Sequence, residues 1–405
     1  MTKNNKSIEG KETVAIIGAG VNGMFCAYYL LKKGYRVTVI DKNAEGLTSK
    51  NNAGLLTPSL TPAPKIGTKD VINALAGGSG PISISPRRVA ADPIWFLKAA
   101  KYANDESQTQ KIIDMGKDSL KLYTMFIASE KIDADVKKGV TALYSNAEEA
   151  KELSKKYHGK FIGEKTIKHL GYNELRGGIM FKDEISINPI KLFAGLRKKI
   201  IELGARMELG AEAKLYVHNG SVEYIQIGTK RIRADKYIST AGSWSNSLLK
   251  SAKVNPYIEP ARGFSILFST GNKKIISAPA LLEDYGIAVA QHNPNLVRIT
   301  SFFELQGEDH NLKKKKEEWL LSIIKTHLYN YANMKIIGKY YGFRPCTPNN
   351  IPVIGTAPKI GNLLIATGQC RLGVTLAPIT GKIISEIIDG KPLKKYRWLQ
   401  DFVKN

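Results

Sequence analysis

The chain has 405 residues, of which 43% are hydrophobic and 24% are charged, and it carries a formal net charge of +24. This composition excludes a collagen-like, coiled-coil or wholly disordered protein, and the length suffices for two domains of ordinary size. The positive charge favours acidic partners such as anionic small molecules, anionic lipid or nucleic acid, without choosing among them.

The three cysteines, Cys26, Cys346 and Cys370, are odd in number and far apart, so the sequence predicts no disulfide framework and no CxxC metal pair. This pattern favours a reducing compartment. No apolar stretch approaches the roughly 18 residues of a membrane helix, and the polar start does not resemble a signal peptide. We therefore expect a cytoplasmic protein, at most peripheral to a membrane, and the six histidines, which lack ligand spacing, predict no metal site.

The first predicted elements are a strand at 13–17, a glycine turn at 18–23 and a helix at 24–33, followed by a second strand at 36–40. Asp41 stands at the carboxyl end of that second strand. A lone glycine motif is weak evidence, but here it has both the preceding strand and the acid about 20 residues further on. This order is typical of a dinucleotide-binding fold.

Each residue of this motif has a physical task. Gly18 permits the tight turn, Gly20 lets a pyrophosphate approach the backbone, and Gly23 lets the helix and strand pack closely. The amino end of the helix attracts the phosphates. Asp41 can accept hydrogen bonds from a ribose diol and disfavours NADP, because a 2′-phosphate would meet a carboxylate there. The sequence thus predicts a bound NAD or FAD; the alternative is a glycine-rich turn without a ligand.

The rest of the chain alternates between loop, helix and strand patterns. Between Gly54 and Pro93 it is rich in Pro, Gly, Ser and Thr, which predicts a loop or lid. Helical patterns occupy 95–102, 110–130, a Lys- and Glu-rich stretch after 145, 189–203 with Asn188 as cap, a segment from Trp244, 310–331 and 375–388. Strand patterns occupy 141–145, 206–209, 214–217, 222–228, 235–239, several antiparallel stretches within 264–303, and 363–366, and a loop is predicted at 171–178.

Several short segments resemble one family of flavin-dependent enzymes. In chain order they are Gly18-Ala-Gly20-Val-Asn-Gly23 with Asp41, Thr48-Ser49-Lys-Asn-Asn52-Ala53-Gly54, Thr240-Ala-Gly242-Ser-Trp244-Ser245, Pro260-Ala-Arg262-Gly263-Phe-Ser265, Glu283-Asp-Tyr285, Gly342-Phe-Arg344-Pro345, and Ala366-Thr-Gly368 with Leu372-Gly373-Val-Thr375. Together they resemble the FAD-dependent amino-acid oxidoreductases of the D-amino-acid oxidase and glycine oxidase type, most closely the D-amino-acid dehydrogenase branch. The likeness spans nearly the whole chain and is more specific for the superfamily than for a substrate.

The resemblance implies that the dinucleotide is FAD and that the segments after residues 48 and 366 run close to its pyrophosphate and ring. The additional cofactor contacts implied are Ser49, Asn52, Ala53, Gly54, Gly242, Gly368, Gly373 and Thr375. Arg344 is implied to hold the substrate carboxylate, which suits a planar guanidinium that binds it bidentately.

The sequence leaves the roles of several side chains in this predicted site undecided. Tyr285 is either a second donor to the substrate carboxylate or a core residue, and Arg344 has an alternative as a structural ion-pair partner. Arg262 and Arg298 are each either a pocket residue or a structural residue of the scaffold. Hydride leaves from an amine that is already neutral, so no side-chain base is required.

Two departures from the family pattern affect the predicted ring site. Gln369-Cys370-Arg371 stands where relatives usually have a His-Gly pair, and Thr300-Ser301 stands where they often have Gly-Gly. Cys370, beside a cation, is either a reactive thiol or a plain small residue. Both departures bear on substrate size, flavin potential or electron acceptor.

The resemblance implies an α/β fold: a Rossmann-like FAD-binding domain built from discontinuous segments, with an inserted α+β substrate domain that contains a mostly antiparallel sheet. The predicted FAD-binding segments are 1–90, 150–255 and 335–405, and the predicted substrate-binding segments are 91–149 and 256–334.

The implied reaction is FAD-dependent oxidation of a D-amino acid to an imino acid, which water hydrolyses to a 2-oxo acid and ammonia. A quinone, an electron carrier or oxygen would accept the electrons. The alternatives are oxidation of an N-substituted glycine, proline-type or opine substrate, a tRNA-binding flavoprotein, and a scaffold without activity. The charge favours RNA, but an aromatic RNA-binding stretch is missing, so nucleic acid is not the expected partner. Contact of the Trp95-Phe96 region and Arg87-Arg88 with an anionic membrane is a further hypothesis.

Overall fold

The chain folds around two large β-sheets, seen in a computed structural model that describes residues 11–45, 48–60, 80–102, 105–308 and 314–402. The helices of this part of the chain are α1 (Val21–Lys32), α2 (Pro86–Ala91), α3 (Pro93–Tyr102), α4 (Thr109–Ser129), α5 (Ala147–Lys156), α6 (Glu164–His169), α7 (Pro189–Glu202), α8 (Ser245–Leu249), α9 (Lys314–His327) and α10 (Ala377–Ile388). Its strands are β1 (Thr13–Ile17), β2 (Arg36–Asp41), β3 (Leu55–Leu56), β4 (Ile82–Ile84), β5 (Lys137–Tyr144), β6 (Lys160–Gly163), β7 (Gly177–Ser186), β8 (Arg206–Leu209), β9 (Ala213–His218), β10 (Ser221–Ile227), β11 (Lys230–Ile232), β12 (Lys236–Ser239), β13 (Glu259–Ser269), β14 (Ala280–Leu282), β15 (Ile287–Asn293), β16 (Leu296–Leu305), β17 (Lys335–Cys346), β18 (Val353–Thr356) and β19 (Leu363–Thr367).

A six-stranded sheet in the order β18-β19-β12-β1-β2-β8 holds the predicted dinucleotide motif. Its pairs are parallel except β18–β19, which is antiparallel. Val14 and Ile16 pack with α1, α7 and α10 on one face, and Ala15 and Ile17 pack with β9 and β10 on the other. Burial on both faces is what a parallel sheet requires, and it explains the unbroken apolar run of β1. The predicted Rossmann-like arrangement is confirmed.

A larger, ten-stranded sheet runs in the order β17-β13-β16-β15-β14-β5-β7-β3, with β4 on β16 and β6 on β7. Its pairs are antiparallel except β5–β14 and β4–β16. Helix α9 covers it through Leu320 and Ile324, which are fully buried against the apolar side chains of the central strands. The predicted mostly antiparallel sheet is confirmed.

The predicted start of α7 shows how closely local chemistry sets an element. The Asn188 Oδ1 atom accepts hydrogen bonds from the backbone N–H groups of Ile190 and Lys191, and Pro189 occupies the first turn. This is the expected N-cap with a proline whose missing N–H costs nothing there.

Other element predictions need adjustment. The long helix predicted at 310–331 covers Lys314–His327, and residues 309–313 lie outside the described residues. The predicted loop at 171–178 ends early because β7 already begins at Gly177. The predicted loop or lid at 54–93 contains β3, β4 and α2, while its residues 61–79 lie outside the described residues.

Two of the predicted domain boundaries, after residues 149 and 334, fall between strands that pair in the larger sheet. β5 pairs with β7, and β13 pairs with β17. The division into domains stays a prediction, and we propose boundaries that follow membership of the two sheets.

The prediction that the cysteines form no disulfide is wrong. Cys346 and Cys370 are joined across a sequence separation of 24 residues, with their Cα atoms 4.3 Å apart. Cys346 ends β17, and its backbone pairs with that of Gln369 in an isolated antiparallel bridge. The hairpin of β18 and β19 lies between them in sequence and brings them together, which spacing alone does not reveal. The number and spacing of the cysteines therefore give no support for a reducing compartment.

Candidate functional site

A cavity of about 2600 Å³ begins at the glycine turn after β1 and continues between the two sheets. Most of the predicted site residues line it: Gly18, Gly20, Asp41, Ser49, Asn52, Ala53, Gly242, Arg344, Gly373 and Thr375. The parallel sheet explains the position of the first three, because its strands end at this edge. The structure thus brings together residues that are up to 357 positions apart in sequence, from Gly18 to Thr375.

The glycine turn at the start of the cavity is sterically fixed. Gly18 has φ +117°, and a Cβ atom there would overlap the Thr240 backbone carbonyl. A Cβ atom on Gly23 would overlap the carbonyl of Gly18. Both positions therefore require glycine, and Gly23 acts by close packing, since it does not line the cavity.

Asp41 ties the two strands of the motif together. Its carboxylate accepts hydrogen bonds from the backbone N–H groups of Ala19, at 2.6 Å, and Asn43, at 2.8 Å. Each carboxylate oxygen thus has one backbone donor and keeps acceptor capacity for a hydroxyl group in the cavity.

Three segments meet at the amino end of α1. The Val21 N–H lies 3.4 Å from Ser49 Oγ, and Asn22 Nδ2 lies 3.4 Å from the backbone oxygen of Gly373. The helix terminus, the turn at 48–51 and the turn that leads to α10 therefore share one corner of the cavity. Positive partial charge accumulates at such a terminus, which is a favourable site for a diphosphate.

Three buried polar atoms on the cavity wall lack a hydrogen-bond partner within the described part of the chain. They are Asn22 Oδ1, Ser243 Oγ and Gln369 Nε2. Buried polar groups in proteins are almost always satisfied, so these acceptor and donor atoms indicate a polar ligand. Together with the glycine cradle and the helix terminus, they fit a dinucleotide whose ring system offers both donors and acceptors, as FAD does. Nothing in the sequence pattern marks Asn22 or Ser243 as a site residue.

Arg344 occupies the other end of the cavity. Its guanidinium lies across Gly263, where a Cβ atom would come within 2.5 Å of Nη2. Its Nη1 atom donates a 2.7 Å hydrogen bond to the backbone oxygen of Phe302. Phe302 has φ +67° and belongs to a β-bulge of β16 against β13, and this irregularity turns its carbonyl toward the arginine.

The charge of Arg344 has no carboxylate at ion-pair distance among the residues that the structure describes. Burial, reinforced by the charge of Arg371, lowers the pKa of Arg344 to about 10. A half-buried cation of this kind is stabilised by an anion that enters the cavity.

Arg371 and Glu283 are among the other charged side chains that line the same cavity. Arg371 is exposed to it, and Glu283 is half-buried in its wall. Burial raises the pKa of the Glu283 carboxyl to about 7, and the nearby charge of Arg371 opposes that rise. The sequence gives no signal that Glu283 lies near Arg371, because the two residues are 88 positions apart.

Tyr285, Gly54 and Gly368 are not among the lining residues. The Tyr285 ring packs against the ring of His327 at a centroid distance of 4.8 Å, because the short helix at 283–285 turns it toward α9. A Cβ atom on Gly54 would overlap the Ile187 carbonyl, and one on Gly368 would lie 2.8 Å from a methyl group of Thr347. These glycines allow close backbone packing beside the cavity.

Arg262 and Arg298, whose roles the sequence does not decide, both lie in the scaffold. Arg262 is 3% exposed and binds Glu304 through Nε and Nη2, at 2.8 and 2.7 Å, and Lys316 pairs with the same carboxylate. Arg298 is 1% exposed, donates to Ser265 Oγ at 3.0 Å and does not line the cavity.

Neither a membrane span nor a metal centre is seen in the ranges that the structure covers. None of the helices there combines the length and apolar character needed to cross a bilayer, and no cluster of three or more His, Cys, Asp or Glu side chains could hold a metal ion.

Comparison with known proteins places this fold and cavity in one class. The family described as DAO, FAD dependent oxidoreductase, matches residues 13–387. The chain belongs to this family, and the predicted FAD cofactor is confirmed.

Among individual proteins, the chain is similar to the D-amino acid dehydrogenase of Vibrio atlanticus. The two are 26% identical over an alignment of 407 residues, gaps included, and the alignment covers 93% of this chain and 96% of the relative. Its fold is similar to glycine oxidase from Bacillus cereus, with a TM-score of 0.76, 18% identity and coverage of 96% and 98%. It is also similar in fold to iminodiacetate oxidase from Chelativorans sp. BNC1, with a TM-score of 0.75, 19% identity and coverage of 94% and 96%.

Proposed function

We propose that this protein oxidises the C–N bond of a D-amino acid to an imine, which water then hydrolyses to a 2-oxo acid and ammonia. The observation that carries the proposal is the half-buried Arg344 guanidinium, which has no carboxylate at ion-pair distance among the described residues and lines the same cavity as the dinucleotide turn. A carboxylate of the substrate would satisfy that charge. The similarity to D-amino acid dehydrogenases along 93% of the chain supports the same choice of substrate.

The residues that line the cavity would then act by holding the cofactor and the substrate in place. Gly18, Gly20 and Asp41 would hold the adenosine and pyrophosphate half of FAD. Asn22, at the amino end of α1, would supply an acceptor, and Gln369 would supply a donor. FAD, when bound, supplies the hydride acceptor.

The substrate would be oriented from the other side. Arg344 would bind its carboxylate in a bidentate manner and so fix the direction of the Cα hydrogen. Glu283 is one of the carboxyls that line the cavity, and burial raises its pKa to about 7. A substrate that enters as an ammonium ion must lose a proton before hydride transfer, and Glu283 would accept it, whereas a substrate that enters as a neutral amine needs no such base.

A second candidate is oxidation of an N-substituted amino acid that carries two carboxylates, as in opines. Arg371 supplies a second cation in the cavity, and the covalent link between Cys346 and Cys370 holds the segments of Arg344 and Arg371 together. Two guanidinium groups match two carboxylates better than one. The fold similarity to an iminodiacetate oxidase is in keeping with this candidate.

A substrate panel distinguishes the two candidates. Holoenzyme is assayed with an artificial dye as electron acceptor on D- and L-amino acids, on N-alkyl glycines and on N-carboxyalkyl amino acids. Highest kcat/KM for a simple D-amino acid supports the first candidate, and highest kcat/KM for an N-carboxyalkyl substrate supports the second. Turnover of neither group contradicts both.

The same assay, run with three different electron acceptors, identifies the acceptor that the enzyme uses. A quinone analogue, an electron-carrier dye and oxygen are offered in turn with the best substrate. Hydrogen peroxide production at a rate equal to dye reduction would define an oxidase, and dye or quinone reduction without peroxide would define a dehydrogenase.

We propose that contact with an anionic membrane involves other residues of this region than Trp95 and Arg88. Trp95 is buried, with its indole N–H bonded to the Tyr257 carbonyl, and Arg88 is bound bidentately by the buried Glu259. The exposed apolar side chains of α3 are instead Ile94, at 58%, and Leu97, at 71%.

The test is flotation with vesicles of phosphatidylcholine alone or with phosphatidylglycerol added. We expect wild-type protein to float only with the anionic vesicles, and Leu97→Glu to remain at the bottom. Met125→Glu, on the exposed face of α4, is the matched control because Met125 is 65% exposed and distant in sequence. Flotation that is absent, or equal for both variants, contradicts the contact.

A further inference from the structure

The disulfide between Cys346 and Cys370 lies in the wall of the cavity, and the functions proposed above give it no redox role. Cys370 lines the cavity and is 7% exposed, while Cys346 behind it is 1% exposed. The bond is therefore shielded from bulk solvent and reachable from the cavity side.

The disulfide is close to the place where the dinucleotide binds. Gly373 contacts Asn22, the second residue of α1, and the amino end of α1 faces the expected pyrophosphate. Cys370 precedes Gly373 by three residues, a stretch that spans at most about 11 Å. The flavin half of FAD would extend from the pyrophosphate into the cavity, whose wall includes Cys370. Gln369, whose buried Nε2 atom has no partner in the described chain, is adjacent to Cys370 and faces the same space.

Two arginines are close to this disulfide in sequence. Arg371 follows Cys370 directly, and Arg344 precedes Cys346 by two residues. Neither arginine has an ion-pair partner among the described residues. Cations beside a sulfur stabilise a thiolate, and a stabilised thiolate makes a disulfide easier to reduce.

The backbone at Cys370 supports the same interpretation. Its φ is +47°, in the left-handed region that non-glycine residues seldom occupy. Such conformations are held in place by their surroundings and cluster at functional sites.

We propose that Cys346–Cys370 is a second redox centre that exchanges two electrons with the flavin. The proposal rests on the binding of FAD in this cavity. Reduced flavin transfers the equivalent of one hydride, the S–S bond breaks, one sulfur becomes a thiol, the other becomes a thiolate beside Arg371, and the flavin returns to its oxidised form. Atoms and charge balance, because the hydride adds one proton and two electrons to the disulfide.

Thiol counting and reductive titration test this exchange without depending on a substrate. FAD-loaded protein is reduced anaerobically with light and a photosensitiser while electron uptake is followed, and thiols are then counted in denaturant. The three cysteines give one thiol, Cys26, before reduction, and we expect three afterwards with uptake of four electrons per FAD. The same protein without FAD, treated identically, should keep one thiol.

The double variant Cys346→Ser/Cys370→Ser is the matched control and should take up two electrons per FAD with its thiol count unchanged. If the double variant does not fold, the counts on wild-type protein with and without FAD decide the question by themselves. Uptake of two electrons with one thiol remaining in FAD-loaded wild-type protein would overturn the proposal. A separate sample reduced with a D-amino acid reports on the proposed function, since failure there alone leaves the light-driven result intact.

Discussion

The two ends of the cavity are built in different ways. The dinucleotide end is formed largely by one continuous segment, β1, the glycine turn, α1 and β2, in which Asp41 bonds Ala19 across 22 residues. The substrate end joins Gly263, Phe302, Arg344 and Arg371, which come from three strands and a turn. A site built locally is visible as a sequence motif, whereas a site built by strand register is visible only after folding.

The largest expected effect concerns the local end. Gly18→Ala should abolish FAD binding, because the new Cβ atom would overlap the Thr240 carbonyl and displace the turn. The ratio of flavin to protein after purification measures this. Gly34→Ala is the matched control: Gly34 also has positive φ, at +86°, but a Cβ atom there meets only Lys11, at 3.9 Å. It should keep its FAD at a cost in stability of about 1 kcal/mol. Full FAD content in Gly18→Ala would show that the turn does not hold the cofactor.

The next largest effect is expected at Arg344, in the end of the cavity that strand register brings together. Arg344→Lys should keep FAD bound and lower kcat/KM by about 10- to 150-fold, since loss of a charge-assisted bidentate contact is worth roughly 1.5 to 3 kcal/mol. Steady-state kinetics on the best substrate of the panel measure it. Tyr285→Phe is the control and should leave kcat/KM unchanged, because Tyr285 does not line the cavity. The reverse result, a large effect of Tyr285→Phe and none of Arg344→Lys, would exchange the roles of these residues.

A smaller and selective effect is expected for Arg371. Arg371→Gln should reduce kcat/KM for substrates with two carboxylates by about tenfold and leave one-carboxylate substrates nearly unchanged, because an exposed cation interacts through more solvent than a buried one. The ratio of the two kcat/KM values is the measurement. An equal loss for both kinds of substrate would assign Arg371 to general attraction of anions.

The smallest effect concerns stability away from the cavity. Burial raises the pKa of Glu184 from its ordinary value of 4.5 to about 7, although Ser59 donates a 2.7 Å hydrogen bond to it. Between these two pH values the folded state binds more protons than the unfolded state, so stability falls as pH rises from about 4.5 to 7. Glu184→Gln should remove about 1 to 3 kcal/mol of this pH dependence.

Denaturant unfolding at pH 5 and pH 8 measures that difference. Glu152→Gln, the same change at an exposed residue of α5, should leave the pH dependence as in the wild type. An identical pH dependence in Glu184→Gln and wild type would contradict the assignment.

The same contrast explains how much the sequence could predict. The β1–α1–β2 unit, the Asn188 cap and the mostly antiparallel sheet follow from periodicity and turn chemistry, because these act over a few residues. Tyr285 and the disulfide illustrate the opposite case. The direction of the Tyr285 ring depends on packing against α9, and the approach of Cys346 to Cys370 depends on a bridge between β17 and a distant turn. The pairing of Arg262 with Glu304 likewise depends on the register of β13 and β16.

The central claim is that one cavity holds FAD at its glycine turn and an amino-acid carboxylate at Arg344. The most direct measurement is the visible spectrum of the FAD-loaded protein during anaerobic addition of the best D-amino acid. We expect the absorbance of oxidised flavin to disappear with wild-type protein, and to disappear only at much higher substrate concentration with Arg344→Lys. Flavin absorbance that persists in the wild type with every D-amino acid and every N-substituted amino acid would contradict the claim.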